Sequence, residues 1–486
     1  MTPIEWILLV LVFTGTVPAL VGCYQFALAA LHCFRRQAPV KANPFPRVAV
    51  VVPAWNEGSV IGRTVDQLLA ADYPADHLRI YVVDDASTDE TADIARAKSD
   101  EHPGVVRHLR RAHGGGGKAH TINHGLEAIE ADDWHQAVLI IDADVLFAPT
   151  ALARMTRHFA DADVGAVSAY IKEGSSPDNY LTRFVAFEYV TAEAAARRAQ
   201  NMIGAQACLA GGAQLISRAS LDAIGGRIDT STLAEDTVTT FLVQLHGRRV
   251  VFEPSAIVWA EEPSDLRALW RQRVRWGRGN VRVTFRFRRV WFRRFSGKPL
   301  GTVSFGLMWF SVALMPVLMV TTSAALLGLY AIDRGLSSRV FSSLWEVGLV
   351  TYLFITLSSF SIDPATARRA WREGIAFPGL ISLAIIVGTA DPHLASDATR
   401  PVHGTWRTVA VLFVYAWLAT SMLAAYALKR LEDVRRLRLL VAPLLYLVGY
   451  GPLLCAMTGA AYIRELRGTE ARWEKTVKTG KVRAVG

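Results

Sequence analysis

Apolar residues are distributed along this chain in two different ways. Residues 6–31 form a nearly unbroken apolar stretch, and a bilayer span takes roughly 20 such residues. After Leu300 similar stretches return at 302–331, 344–362, 408–428 and 439–463. The stretch 376–390 is shorter and contains Pro378 and Gly379; a crossing, a re-entrant loop and an interfacial helix all fit it. Residues 48–264 are another material, with mixed polarity, regular charges and no spanning segment. The pattern predicts a membrane helix within 1–36, an α/β domain over 47–264, a basic interfacial segment over 265–300, membrane helices over 301–463 and a basic tail over 464–486.

Inside 47–264, short β-branched runs alternate with helical patterns. "RVAVVVPAWNEGSVIGRTVDQLL" (47–69) begins as a buried parallel strand would, and Pro53 is expected to end that strand. Ile61, Val65, Leu68 and Leu69 then recur at helical spacing. "RIYVVDDASTDETADIA" (79–95) repeats the plan, with a helix start expected at Ser87 or Thr88 ahead of Asp89 and Glu90. "AVLIIDADVLFAP" (137–149) is a third buried strand ending in acids. Such alternation implies a mainly parallel sheet, in which ligands bind beyond the carboxyl ends of the strands. Pro53–Glu57, Asp84–Asp85 and Asp142–Asp144 all fall at those ends. By contrast, "VRVTFRF" at 281–287 alternates as a strand does.

Charge adds an orientation. The chain carries 53 Lys and Arg against 43 Asp and Glu. Arg35, Arg36, Lys41 and Arg47 follow the first span and no basic residue precedes it. The positive-inside rule then places the N-terminus outside and the α/β domain in the cytoplasm. "LVGC" at 20–23 has the look of a cleavage site, but the basic n-region of a signal peptide is missing. If 376–390 crosses, the basic tail lies outside; if it does not, the bases at 429–438 are exported, so the span count stays open. Between Arg267 and Lys298 there are many arginines and no acid. That field suits phosphate groups or anionic lipid, and its place beside a span argues against nucleic acid. Cys23, Cys33, Cys208 and Cys455 form no C-x-x-C pair, so neither a disulfide framework nor a structural zinc site is expected. His120 and His124 lack the glutamate of H-E-x-x-H.

Several residues are suited to chemistry on a phosphorylated ligand. Asp142 and Asp144 flank Ala143 at a strand end, and hard divalent cations take carboxylate oxygens together with substrate phosphates. "HGGGGKAHTINHGL" (113–126) is glycine-rich but departs from the Walker pattern at Ala112 and Ala119. Its glycines fit a close-approach loop, with Lys118 beside it for an anion. Glu235 and Asp236 open a helical pattern, where acids also serve the helix dipole. A carboxylate set there opposite a diphosphate would make a general base.

In order and spacing, "VVPAWNE", "VVDDASTD", "KAHTIN", "DAD", "AGGAQLISRASLDAIGG", "AED" and "QRVRW" resemble the inverting family 2 glycosyltransferases with a GT-A fold. More narrowly they are similar to the membrane-integrated cellulose, chitin, hyaluronan and poly-N-acetylglucosamine synthases. The resemblance covers about residues 47–300 and the flanking spans. It implies that Pro53, Trp55, Glu57 and Asp85 line the nucleotide end of a UDP-sugar and that Lys118 approaches the donor. Asp142 and Asp144 would serve the diphosphate and its Mg²⁺ or Mn²⁺. Asp236 would be the base, beside Glu235; Ala234 stands where the family's T-E-D has threonine, so no hydroxyl acts there. Cys208, Gly211 and Gly212 would meet the glycan acceptor. Gln272 and Arg275 of Q-x-x-R-W would close the donor site, with Arg275 forking onto the diphosphate and Trp276 facing an acceptor sugar. Lipid contact is expected along Arg282 to Arg294. The implied protein is a multi-pass enzyme of the cell's inner membrane that extends a β-linked polysaccharide. Transfer of one sugar to a lipid is the first rival and a non-catalytic membrane receptor for a nucleotide or glycan the second. Sugar, linkage and accessory subunits stay open.

Overall fold

The computed structural model describes residues 1–34, 45–293, 299–390, 405–469 and 480–483. Arg35, Arg36 and Lys41, residues 294–298 of the basic segment and most of the tail lie outside the described residues. Contacts divide the chain into two units. A helical unit comprises Met1–Ala30, Asp265–Arg278 and Leu307–Glu470; a sheet unit comprises Leu31–Ser264, Gly279–Gly306 and Ala471–Gly486.

The sheet unit is built on eight strands in the order β3-β2-β1-β4-β7-β6-β8-β5. They are β1 Val48–Ala54, β2 Leu78–Asp84, β3 Val106–Arg110, β4 Ala137–Ile141, β5 Val145–Phe147, β6 Val164–Glu173, β7 Ala213–Ser217 and β8 Arg249–Ala260. β1, β2, β3 and β4 pair in parallel, as do β6 and β8. β7 runs antiparallel between β4 and β6, and β5 antiparallel to β8, so the sheet is mixed but mostly parallel. The β-branched run of β1 has its physical reason in the two cores. Val48, Val50 and Val52 enter one and Ala49 and Val51 the other. A strand buried on both faces has no polar face to alternate with. Strand order reverses at β1, which lies between β2 and β4. Helices Ile61–Leu69, Thr91–Glu101 and Lys118–Asp132 connect the parallel strands.

Local expectations shift at three places. β1 continues through Pro53 to Ala54. The helix after β2 starts at Thr91, not at Ser87 or Thr88. Asp89 is drawn elsewhere, accepting from the Gly58 and Thr91 amides at 3.0 and 3.1 Å. Residues 281–286 are helical, the last turns of Leu266–Arg286. Val283 and Phe287, four residues apart, are both buried, whereas Phe285 is 69% exposed. Burial thus follows the helical period rather than the alternation. Near the C-terminus, residues 480–483 lie along the end of β6: the Ser176 amide donates to Lys481 O at 2.7 Å and the Arg483 amide to Gly174 O at 2.9 Å.

Pro3–Phe34, Met315–Ile332 and Arg334–Ile362 are long and apolar enough to cross a membrane. Thr408–Tyr415 with Trp417–Glu432 bends by 79°, and Arg438–Val448 with Tyr450–Leu466 by 102°. Counting each bent pair as one span gives up to five among the described residues. The stretch expected at 302–331 is two helices, Val303–Ala313 and Met315–Ile332, with Pro316 opening the second. The one expected at 344–362 starts earlier, at Arg334, where the Asp333 side chain caps the Leu336 amide at 2.9 Å. The short stretch over 376–390 forms an eleven-residue helix, Leu380–Ala390.

Candidate active site

The ends of β1 and β2 are tied to each other before any ligand is considered. The Asn56 amide donates to Ser87 Oγ at 2.9 Å, the Glu57 amide to Thr91 Oγ1 at 2.7 Å and the Thr88 amide to Asn56 Oδ1 at 2.8 Å. Asp84 is fully buried, accepts from the Ser87 amide at 2.9 Å and meets Arg110 at 3.0 Å. Asp85 faces the glycine loop. It accepts from the Gly115 amide at 3.1 Å and is ion-paired with Arg111. Arg110 and Arg111 were not legible in the sequence as site residues; they sit at the end of an edge strand whose position depends on β3 pairing with β2. Pro53, Trp55 and Glu57 lie on and just beyond the end of β1.

Lys118 opens the helix that follows the glycine loop. Its Nζ lies 2.6 Å from Asp142 Oδ1, 2.8 Å from Gly211 O and 3.8 Å from Glu235 Oε1. Burial alone would lower its pKa, but the charges of Asp142, Glu235 and Asp236 outweigh it and raise the pKa. Lys118 is therefore a fixed cation among carboxylates contributed by β4 and by a distant helix.

That helix, Glu235–Leu245, begins with the two acids. The Thr237 amide donates to Asp236 Oδ1 at 2.7 Å, which leaves Oδ2 directed at Gly211. A Cβ on Gly211 would stand 2.8 Å from Asp236 Oδ2 and 3.7 Å from Lys118 Nζ. Only a glycine lets the backbone come so near the carboxylate without moving it. Gly212 O accepts from the Asp142 amide at 3.3 Å, so the two glycines join the end of β4 to helix Glu235–Leu245. The thiol of Cys208 is held well above its ordinary pKa by burial and then by the Asp236 charge.

Sequence reading missed the residues that hold this arrangement. Thr240 donates to Asp236 O at 2.6 Å and accepts from the Leu209 amide at 2.7 Å. Gln244 accepts from the Gln206 amide at 2.9 Å and donates back to Gln206 O at 2.8 Å. Ser168 on β6 accepts from the Ala210 amide at 2.9 Å. The available signal was a run of polar residues, Thr237, Thr239, Thr240 and Gln244, on a helix that buries nearly every side; buried polar groups need such partners.

Gln272, Arg275 and Trp276 belong to the helical unit, on helix Leu266–Arg286. Gln272 is buried and accepts from Arg273 at 2.7 Å. The Arg273 guanidinium lies 4.1 Å from the centre of the Trp276 ring, a cation–π contact on the indole face. The structure thus collects Lys118, Asp142, Cys208, Gly211, Gly212, Glu235 and Asp236 in one cluster, while the Q-x-x-R-W residues stay with the helical unit.

No group of three or more His, Cys, Asp or Glu side chains able to hold a metal ion occurs among the described residues. Asp142 and Asp144 do supply hard carboxylate oxygen at the strand end, both half-buried. The set fits a divalent cation that takes its remaining ligands from a diphosphate and from water, as Mg²⁺ sites do.

The family profile described as "Glycosyltransferase like family 2" matches residues 46–279. A probable glycosyltransferase, YdaM, of Bacillus subtilis is 31% identical over 250 residues, covering 51% of this chain and 58% of its own length. The beta-monoglucosyldiacylglycerol synthase of Synechocystis is 32% identical over 236 residues, 49% of this chain and 48% of that one. The poly-beta-1,6-N-acetyl-D-glucosamine synthase of Staphylococcus aureus is 26% identical over 266 residues, 54% and 61% respectively. The chain thus spans about half the length of the curated relatives it matches. Among solved structures, the mannosyltransferase PcManGT of Pyrobaculum calidifontis, in complex with GDP-Man and Mn²⁺, aligns with a TM-score of 0.55 at 23% identity, over 76% of this chain and 99% of that one. With the sheet order, the acids at the strand ends and these matches in hand, residues 46–279 are similar to the family 2 glycosyltransferases, and the sheet unit has a GT-A-type fold.

Proposed function

We propose that the protein transfers a sugar from a UDP-sugar to the end of a β-linked glycan, with inversion, at the cell's inner membrane. One observation carries the reading. Asp236, a carboxylate held at a helix start, faces the side-chain-free backbone of Gly211, while Lys118 and Asp142 stand beside it. In that geometry Asp236 takes the proton from an acceptor hydroxyl as its oxygen attacks the anomeric carbon from the face opposite the nucleotide. The C–O bond to the diphosphate breaks as the new glycosidic bond forms, and one displacement inverts the configuration. Lys118 offsets negative charge on the departing side. A divalent cation held by Asp142 and Asp144 would supply further positive charge there. The parts given to Pro53, Trp55, Glu57 and Asp85 at the nucleotide, and to Gln272, Arg275 and Trp276 in closing the donor site and meeting the acceptor, rest on their motifs.

Extension of a polymer is favoured by the complete Gln272, Arg275 and Trp276 set and by apolar helices on both sides of the domain. The bases that follow the first apolar stretch favour a cytoplasmic domain. A second reading, addition of one sugar to a lipid, is favoured by the 32% identity to a glucosyldiacylglycerol synthase. Incubating the purified protein in lipid with Mg²⁺ or Mn²⁺ and a panel of radiolabelled UDP-sugars separates the two. Large glycosidase-sensitive product supports the polymer; a labelled lipid carrying one residue supports the rival; no transfer from any donor, with glycan binding retained, would leave a receptor.

A further inference from the structure

The loop that delivers the catalytic acids is held by a residue that the motif reading assigned to the lipid surface. Arg286 ends helix Leu266–Arg286, and its last turns belong to the sheet unit. One guanidinium nitrogen donates to Asp229 Oδ2 at 2.7 Å and the other to Ser231 Oγ at 2.8 Å. The second oxygen of Asp229 accepts from the Ser231 amide at 2.9 Å and from its hydroxyl at 2.5 Å. Thr232 Oγ1 accepts from the Ala234 amide at 3.1 Å, and Glu235 and Asp236 follow directly. Polar contacts thus run from Arg286 to within two residues of the base.

Two further features of the same segment point to the same place. A Cβ on Gly279 would stand 2.7 Å from the Cβ of Ala234, so the helix backbone passes against the residue that replaces the family's threonine. Beyond the helix end, Phe287, Trp291 and Phe305 pack on Phe241 of the base helix, with ring centres at 4.9, 5.7 and 5.9 Å. An exposed ion pair by itself contributes little to stability. This one lies at the root of a short loop whose far end must hold a carboxylate in place.

We propose that Arg286 is a positioning residue for sugar transfer: by clasping Asp229 and Ser231 it fixes loop 229–234 and with it the Asp236 carboxylate, while Gly279 leaves the space in which Ala234 sits. The proposal rests on the reading of Asp236 as the base. Its effect is expected on the chemical step more than on donor binding, because the clasp touches the base loop and none of the residues assigned to the nucleotide. A displacement of a reacting group by about 1 Å can cost on the order of a hundredfold in rate.

The test uses the full-length protein in lipid nanodiscs with Mn²⁺, and UDP-glucose and UDP-N-acetylglucosamine as donors. Arg286→Ala is expected to lower kcat about tenfold while donor KM and UDP affinity stay within about twofold, and Arg286→Lys is expected to recover part of the rate. Hydrogen exchange of the amides at 230–237, which needs no donor, is expected to quicken about fivefold or more in Arg286→Ala. Unchanged exchange together with wild-type kcat overturns the proposal, as does a loss of UDP affinity that matches the loss of kcat. If neither donor turns over, the exchange measurement decides alone. Asp236→Asn serves as the separate control: turnover retained there sinks the base assignment, whereas a dead Asp236→Asn beside a fully active Arg286→Ala sinks the clasp alone.

Discussion

Lys118 and Asp142 form a 2.6 Å ion pair at the carboxyl end of β4, and Asp142 is one of the two carboxylates suited to a divalent cation. Lysine and such a cation would therefore compete for one oxygen donor set. Lys118→Met should strengthen Mn²⁺ binding in the absence of nucleotide roughly three- to tenfold, because a fixed positive charge leaves the site. The same substitution should lower turnover by about a hundredfold if, as proposed, the charge also serves the departing diphosphate. Titration of Mn²⁺ by electron paramagnetic resonance checks the first effect; unchanged or weaker binding would refute the competition.

Gly211 sets the clearance around Asp236. Its substitution by alanine places a methyl 2.8 Å from Asp236 Oδ2, and the movable partner is the end of the aspartate side chain. The carboxylate yields and the fold does not. Gly211→Ala should lower kcat by about ten- to a hundredfold and leave the Tm within about 3 °C. A large Tm loss would show that the backbone yields instead.

Thr240 joins helix Glu235–Leu245 to the loop that precedes Gly211 through the Leu209 amide. Thr240→Val keeps the shape and removes the acceptor, leaving a buried N–H unsatisfied at a cost of about 1–3 kcal/mol. Thr240→Ser keeps the hydroxyl and should restore most of that stability. Thermal unfolding in detergent compares the pair, and equal losses in both would point to packing rather than the hydrogen bond.

Acid should weaken the sheet unit through Glu253. Burial alone would raise the pKa of this carboxyl, but hydrogen bonds from His158 and Ser255 together with the histidine charge hold it down to about 2. A depressed carboxyl pKa contributes stability above the unfolded value near 4.3, and that contribution is lost as pH falls toward 2. The contribution is on the order of 3 kcal/mol. Melting curves from pH 6 down to pH 3 should therefore fall more steeply for wild type than for Glu253→Gln; parallel curves would assign the acid sensitivity elsewhere.

The tail segment 480–483 should behave as part of the sheet unit. Val482 is 5% exposed, and its carbonyl accepts from Arg63 at 2.8 Å, on the helix that follows the Asn56–Glu57 turn. Val482→Asp should release the segment and speed amide exchange at Ser176, whose donation to Lys481 O would be lost. Unchanged exchange there would mean that the bridge contributes nothing to local order.

The sequence by itself determined the strands that end in acids. The runs at 48–52, 80–83 and 137–141 are apolar and β-rich because both faces of those strands are buried, and that composition is readable without knowing the neighbours. The acids after them, and the pair that opens helix Glu235–Leu245, follow from chain order alone. Tertiary structure decided which of these groups meet. Lys118, Asp142, Gly211 and Asp236 are far apart in the chain, and it is the antiparallel insertion of β7 beside β4 that draws Gly211 and Gly212 to the acids. It also decided residues 281–286. A short alternation of polar and apolar residues is compatible with either a strand or a helix, and the burial of Val283 and Phe287 on one side selected the helix. Arg286 then found Asp229, a partner 57 residues away that no local pattern names, because long-range pairing depends on packed surfaces rather than on neighbouring residues.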